Sequence, residues 1–87
     1  MTKMESKGTV TKSESRTGEF GKRITLIELL NEKTLKKENL NLKGQHRIDR
    51  GETLLIAYKT DAGTNWVSRY LILDENGDEK YFSICDD

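Results

Sequence analysis

With 87 residues, 33% of them hydrophobic and 34% charged, the chain is one small domain with little apolar surface to spare for its core. A formal net charge of zero argues against bulk attraction to nucleic acid or membrane, the single cysteine excludes an internal disulfide, and the single histidine excludes a multi-imidazole metal centre. The zero is an average: residues 1–50 carry 12 Lys/Arg against 7 Asp/Glu and residues 51–87 carry 3 against 8, so a +5 half is joined to a −5 half.

In chain order, residues 1–6 are polar and read as a flexible N-terminal segment ahead of a domain spanning 7–87. They lack a signal-type apolar core, and no stretch is long enough to span a membrane, so a cytoplasmic protein is expected, with a secreted mature domain as the alternative. Gly8 to Ser15, with Val10 as its one strongly apolar residue, reads as an edge strand guarded by charge. Arg16 to Lys22 is a loop built on Gly18 and Gly21. Phe20 in that loop is either a lid folded onto the core or an exposed contact residue. Burying it is worth about 2–3 kcal/mol, which favours the lid.

Arg23 to Leu29 fits a strand, because its isoleucines and Thr25 are β-branched. Glu28 to Lys37 also contains good helix formers, so the segment 28–42 stays open between a short helix, a strand and irregular structure. Leu35, Leu40 and Leu42 are apolar islands in a basic connection, Lys43 to Gln45 is a turn, and Ile48 is expected to pack on the core. Leu54 to Tyr58 is an unbroken apolar run bounded by Gly51 and by Asp61 to Gly63. It reads as the central strand, buried on both faces or nearly so. Trp66 to Leu73 is the next strand. Asn76-Gly77 marks a hairpin, with either a two-residue turn or a three-residue loop in which Gly77 is left-handed. Lys80 to Ile84 completes it.

Little here points to catalysis. A His46–Cys85 pair lacks anything local to orient it, and Cys85 reads as a small hydrophobe at the core edge. The acidic run from Asp74 to Glu79 lacks calcium-loop spacing, and Gly18-x-x-Gly21 lacks the context of a phosphate loop. A non-enzymatic protein without cofactor or metal is expected. The one constellation that suggests a ligand is basic: Lys12, Arg16, Lys22 and Arg23 around Phe20, followed by Lys36, Lys37, Lys43, Arg47 and Arg50. Cations meet phosphates, and bases stack on exposed aromatics.

The segments Gly8-Thr-Val-Thr-Lys12, the loop 18–21 and Lys22-Arg-Ile-Thr-Leu26 are similar to the first hairpin of an OB-type barrel. Ile48-x-x-Gly51-Glu-Thr-Leu-Leu-Ile56 resembles a later strand of that fold. The resemblance covers about two-thirds of the chain, and an SH3-like barrel is the alternative. It implies a mainly β protein: a small antiparallel barrel of five to six strands with room for one short helix. Two functions follow. The first is a monomeric protein-interaction or accessory domain, of the kind found in small bacterial or phage proteins, whose acidic C-terminal half meets a protein partner. The alternative is a single-stranded nucleic-acid-binding module that uses the basic loops 12–23 and 33–50.

Overall fold

The computed structural model describes residues 3–85, and six strands account for most of them: β1 (Lys3–Thr17), β2 (Arg23–Asn31), β3 (Lys37–Lys43), β4 (Thr53–Asp61), β5 (Thr64–Leu73) and β6 (Glu79–Ile84). The strands lie in the order β3-β2-β1-β4-β5-β6, and a further contact between β3 and β5 closes the first five into a barrel, with β6 added outside. That closing contact, Asn41 beside Trp66, is parallel, whereas the other pairings are antiparallel. The barrel is therefore mixed rather than wholly antiparallel. Among the described residues the short helix is absent, and a single 3-10 turn at Glu19–Gly21 is the only helical geometry.

β1 departs furthest from expectation. It is no edge strand: Lys3 to Thr9 pair with β4, and Gly8 to Thr17 pair with β2. One long strand thus serves both halves of the barrel. It bends at a bulge where Thr11 has no cross-strand partner, and bulges of this kind increase bend and twist. Thr11 is held instead by donating from Oγ1 to the Glu28 carboxylate at 2.8 Å. Low hydrophobicity is compatible with this central place because the inward residues are small: Ser6, Gly8 and Val10 are buried. At Gly8 a Cβ would stand 2.0 Å from the Leu30 carbonyl oxygen, so the close approach of β1 to β2 requires glycine. Of the segment expected to be flexible, Lys3 to Ser6 are strand in register with Ile56 to Lys59, and Met1 and Thr2 lie outside the described residues.

β4 carries the apolar run and sits between β1 and β5, as expected of a central strand. Leu54, Ile56, Ala57 and Tyr58 are buried and Leu55 is half-buried. Leu54, Ile56 and Tyr58 meet Val10, Ile27, Leu29, Leu40, Leu42, Val67, Tyr70 and Ile72 in one core. Burying a side chain of this size contributes about 1.5–3 kcal/mol. The segment 28–42 resolves into the end of β2, a turn and β3. Asn31 holds that turn, its Oδ1 accepting from the backbone N–H of Lys33 at 2.8 Å and of Thr34 at 3.1 Å. A side chain that caps a turn in this way competes with helix, which explains why the helix formers around it do not prevail.

The connection from Gly44 to Glu52 is irregular, and Ile48 anchors it in the core. Thr25, fully buried, clasps its start: Oγ1 donates to the Gly44 carbonyl and accepts from the His46 N–H, both at 2.9 Å. At the last hairpin the Asp74 carbonyl accepts from Gly77 at 3.0 Å, and the Asp74 N–H donates to Asp78 at 2.9 Å. Gly77 has φ 83°. This is the three-residue form of the turn. Cys85 is buried at the core edge.

Candidate functional site

The β1–β2 connection is a tight left-handed turn. The Gly18 N–H donates to the Lys22 carbonyl at 2.5 Å, and Phe20 (φ 58°) and Gly21 (φ 72°) both take positive φ. Positive φ is uncommon for a bulky residue and is a place to look for function. Here it turns Phe20 away from the barrel and leaves it 94% exposed. The lid reading is overturned: a ring held out by its own backbone turn contributes nothing to the core.

Beside this turn the outer faces of β1, β2 and β3 form one surface. Residues opposite each other across a ladder share a face. Arg16, Ile24 and Lys43 therefore make one row, Glu14, Leu26 and Asn41 the next, and Lys12, Glu28 and Asn39 a third. The closing contact brings Trp66 of β5 alongside Asn41. At the Phe20 end, Phe20, Lys22, Arg23, Ile24, Lys43, Gly44 and Trp66 line an open cleft of about 710 Å³. Cavities of roughly 300–1,000 Å³ hold small ligands or one or two ligand moieties. The Lys43 ammonium stands 5.9 Å from the Trp66 ring centroid, within cation–π range.

The sequence-predicted cations fall into groups. Lys22, Arg23 and Lys43 line the cleft with Phe20, and none of them forms an ion pair among the described side chains. Arg16 adjoins them but pairs with Glu14 at 2.7 Å. Lys12 lies further along the same face, and Lys37 at its far end pairs with Glu28 at 3.7 Å. Lys36 sits on the β2–β3 turn. Arg47 lines a separate hollow with Ser13, Gln45 and Asp49, and Arg50 lies in the connection ahead of Gly51. The expected patch thus contracts to its Phe20 end, because Glu14 and Glu28 interrupt the positive charge along the sheet. Sequence reasoning missed Trp66 and Ile24. The signal for Trp66 was present: strand alternation sets it on the face opposite to buried Val67.

A second polar cluster lies inside the barrel end. His46 Nε2 is 2.9 Å from the Lys43 carbonyl and Nδ1 is 3.1 Å from the Tyr70 hydroxyl. A carbonyl only accepts, so Nε2 carries the proton, and in the neutral ring Nδ1 accepts from Tyr70. Burial pushes the Tyr70 phenol up to about 12, against a lowering hydrogen bond from Ser83 of β6. This cluster ties the 44–52 connection to β5 and β6. Among the described residues no group of three or more His, Cys, Asp or Glu side chains converges on a metal position.

No protein-family model, curated protein or solved structure matches this chain.

Proposed function

We propose that the protein is a single-stranded nucleic-acid-binding module whose contact point is the Phe20–Trp66 cleft. The observation that carries the reading is Phe20 itself: an aromatic ring held 94% exposed by a left-handed turn, at the mouth of a cleft with Trp66, Lys22, Arg23 and Lys43. Exposing a ring to water forgoes the benefit of burial, so the turn needs a reason outside the core. Stacked bases supply one, and the neighbouring cations meet the phosphates. The five-strand closure and the long β1 shared between both halves support an OB-type reading of the barrel. OB-type barrels take oligonucleotides on the face of strands 2–3 and on the flanking loops, the face on which this cleft lies. Glu14 and Glu28 restrict the path of the phosphates to the Phe20 end, so a short single strand fits better than a duplex.

Fluorescence anisotropy with labelled single-stranded DNA and RNA tests this. Phe20→Ala should weaken binding by roughly 5- to 150-fold, the equivalent of about 1–3 kcal/mol, while leaving the fold intact. Lys22→Glu with Arg23→Glu should weaken it further. Absence of wild-type binding at low salt would end the nucleic-acid reading and leave the protein-interaction one, for which the observation is the exposed apolar strand β6.

A further inference from the structure

We infer, resting on the single-strand reading above, that the sheet carries a guanine-selecting subsite next to the Phe20–Trp66 cleft, and that the Glu28 carboxylate reads the base. Among the outward side chains of β1, β2 and β3 lies a hollow of about 250 Å³. Half-buried Leu26 of β2 stands at its middle, with Glu14 and Arg16 on the β1 side, Asn39 and Asn41 on the β3 side, and Glu28 further along β2. Ile24, which lines the cleft, comes two residues before Leu26, about 7 Å along the same strand. The hollow is smaller than a cavity that holds a whole drug-sized ligand, and an apolar floor within a polar rim suits one flat ring. A strand whose phosphates are held at Lys22, Arg23 and Lys43 can lay the base of a neighbouring nucleotide here.

The rim holds two carboxylates in different states. Glu14 is taken up by Arg16 at 2.7 Å. Glu28 is half-buried and held from one side: Thr11 Oγ1 donates to its Oε1 at 2.8 Å, and the Lys37 ammonium is 3.7 Å from the same oxygen. Its Oε2 has no partner among the described residues. Thr11 is the bulged residue of β1, and bulges re-aim side chains beside binding sites. A carboxylate already held in place loses little freedom when a ligand arrives. An ionised carboxylate only accepts hydrogen bonds, through two oxygens side by side. Single strands present their Watson–Crick edges, and guanine alone offers two adjacent donors there, N1–H and the N2 amine. The amines of adenine and cytosine each adjoin a bare ring nitrogen, whose lone pair opposes the second oxygen. In thymine and uracil the one N–H lies between two carbonyls. Each of these bases would leave an acceptor facing the carboxylate, which is costly away from water. The charge that interrupts the phosphate path along the sheet thereby meets a base edge.

Fluorescence anisotropy with labelled thymine hexamers tests the subsite. A single guanine is placed at each position in turn, and inosine, which lacks the N2 amine, then replaces it. Guanine at the best position should tighten binding by roughly 5- to 150-fold over the all-thymine strand, the worth of one bidentate base contact. Inosine should lose most of that gain, and adenine or cytosine there should do no better than thymine. Glu28→Gln, which sets a donor where an acceptor stood, should erase the difference between the guanine and thymine strands. The base replacements leave the protein untouched, so the test does not depend on how the variant folds. Equal affinity for guanine and thymine at every position overturns the subsite and leaves the single-strand reading standing. So does a preference that is undiminished with inosine or that survives Glu28→Gln. Failure of every strand to bind at low salt overturns both.

Discussion

The two phenylalanines of this chain are both exposed, in opposite surroundings. Phe20 sits in a left-handed turn among Lys22, Arg23 and Lys43, with Trp66 across a cleft. Phe82 sits on a regular strand beside Leu71, with no charged residue from Tyr81 to Cys85. An aromatic surrounded by cations is suited to an anion that stacks, and its contacts weaken as salt rises. An aromatic on an exposed edge strand, beside Leu71 and away from the cation cluster, is suited to packing, and its contacts do not depend on phosphate. The +5/−5 split of the sequence therefore separates two kinds of surface. A simple attraction between the halves would not explain why each keeps an exposed aromatic.

The largest expected effect removes both surfaces at once. Ile56 is 1% exposed in the core of the barrel that supports both surfaces. Ile56→Ala should cost about 2–5 kcal/mol, a large part of the stability of so small a domain, and abolish single-strand binding. Chemical denaturation checks it, and a variant that keeps cooperative unfolding and single-strand binding would break the claim that this core supports the cleft.

Alkali should loosen the β6 side through Tyr70. Its phenol is raised from 10.0 to about 12 in the folded protein, mainly by burial. The folded state therefore holds this proton more tightly than the unfolded chain. The contribution is complete below pH 10 and is lost as pH rises through about 12, by about 2–3 kcal/mol in all. Denaturation of wild type and Tyr70→Phe across that range isolates it. The wild type should lose stability relative to the variant, and parallel curves would contradict the assignment.

Gly77→Val is a smaller perturbation confined to the same side. At φ 83° a β-branched residue is strained by roughly 1–2 kcal/mol. The melting temperature should fall, with single-strand affinity unchanged. Smallest of all, Phe20→Ala should leave stability within about 0.5 kcal/mol of wild type, because the ring buries nothing. A clear loss of stability would return Phe20 to the core.

The parts of the fold legible in the sequence were those specified locally. The apolar run Leu54 to Tyr58 could only be an inner strand, and Asn76-Gly77 could only be a turn. The central role of β1 was not legible, because a Ser- and Thr-rich strand looks like an edge until both of its partners are known. Gly8 gave a partial signal, but its close contact with Leu30 depends on long-range pairing. For β3, Leu40 and Leu42 showed the alternation, while the helix formers preceding them masked it. In the candidate site the cations around Phe20 were visible as a cluster in sequence. The direction of the ring was not, because it depends on one backbone dihedral. For Trp66 the alternation in β5 showed the outward face, but not that this face adjoins Phe20, because Trp66 joins the cleft only through the β3–β5 closure.

Trp66 is also the only tryptophan in the chain, so the cleft carries its own reporter. The most direct test follows its fluorescence while a short single-stranded oligonucleotide is titrated at several salt concentrations. The account predicts saturable quenching from stacking near the ring. With Lys22, Arg23 and Lys43 meeting about three phosphates, log affinity should fall with log salt at a slope of about −2. Unchanged Trp66 fluorescence at low salt, or quenching that persists undiminished in Phe20→Ala and at high salt, would contradict it.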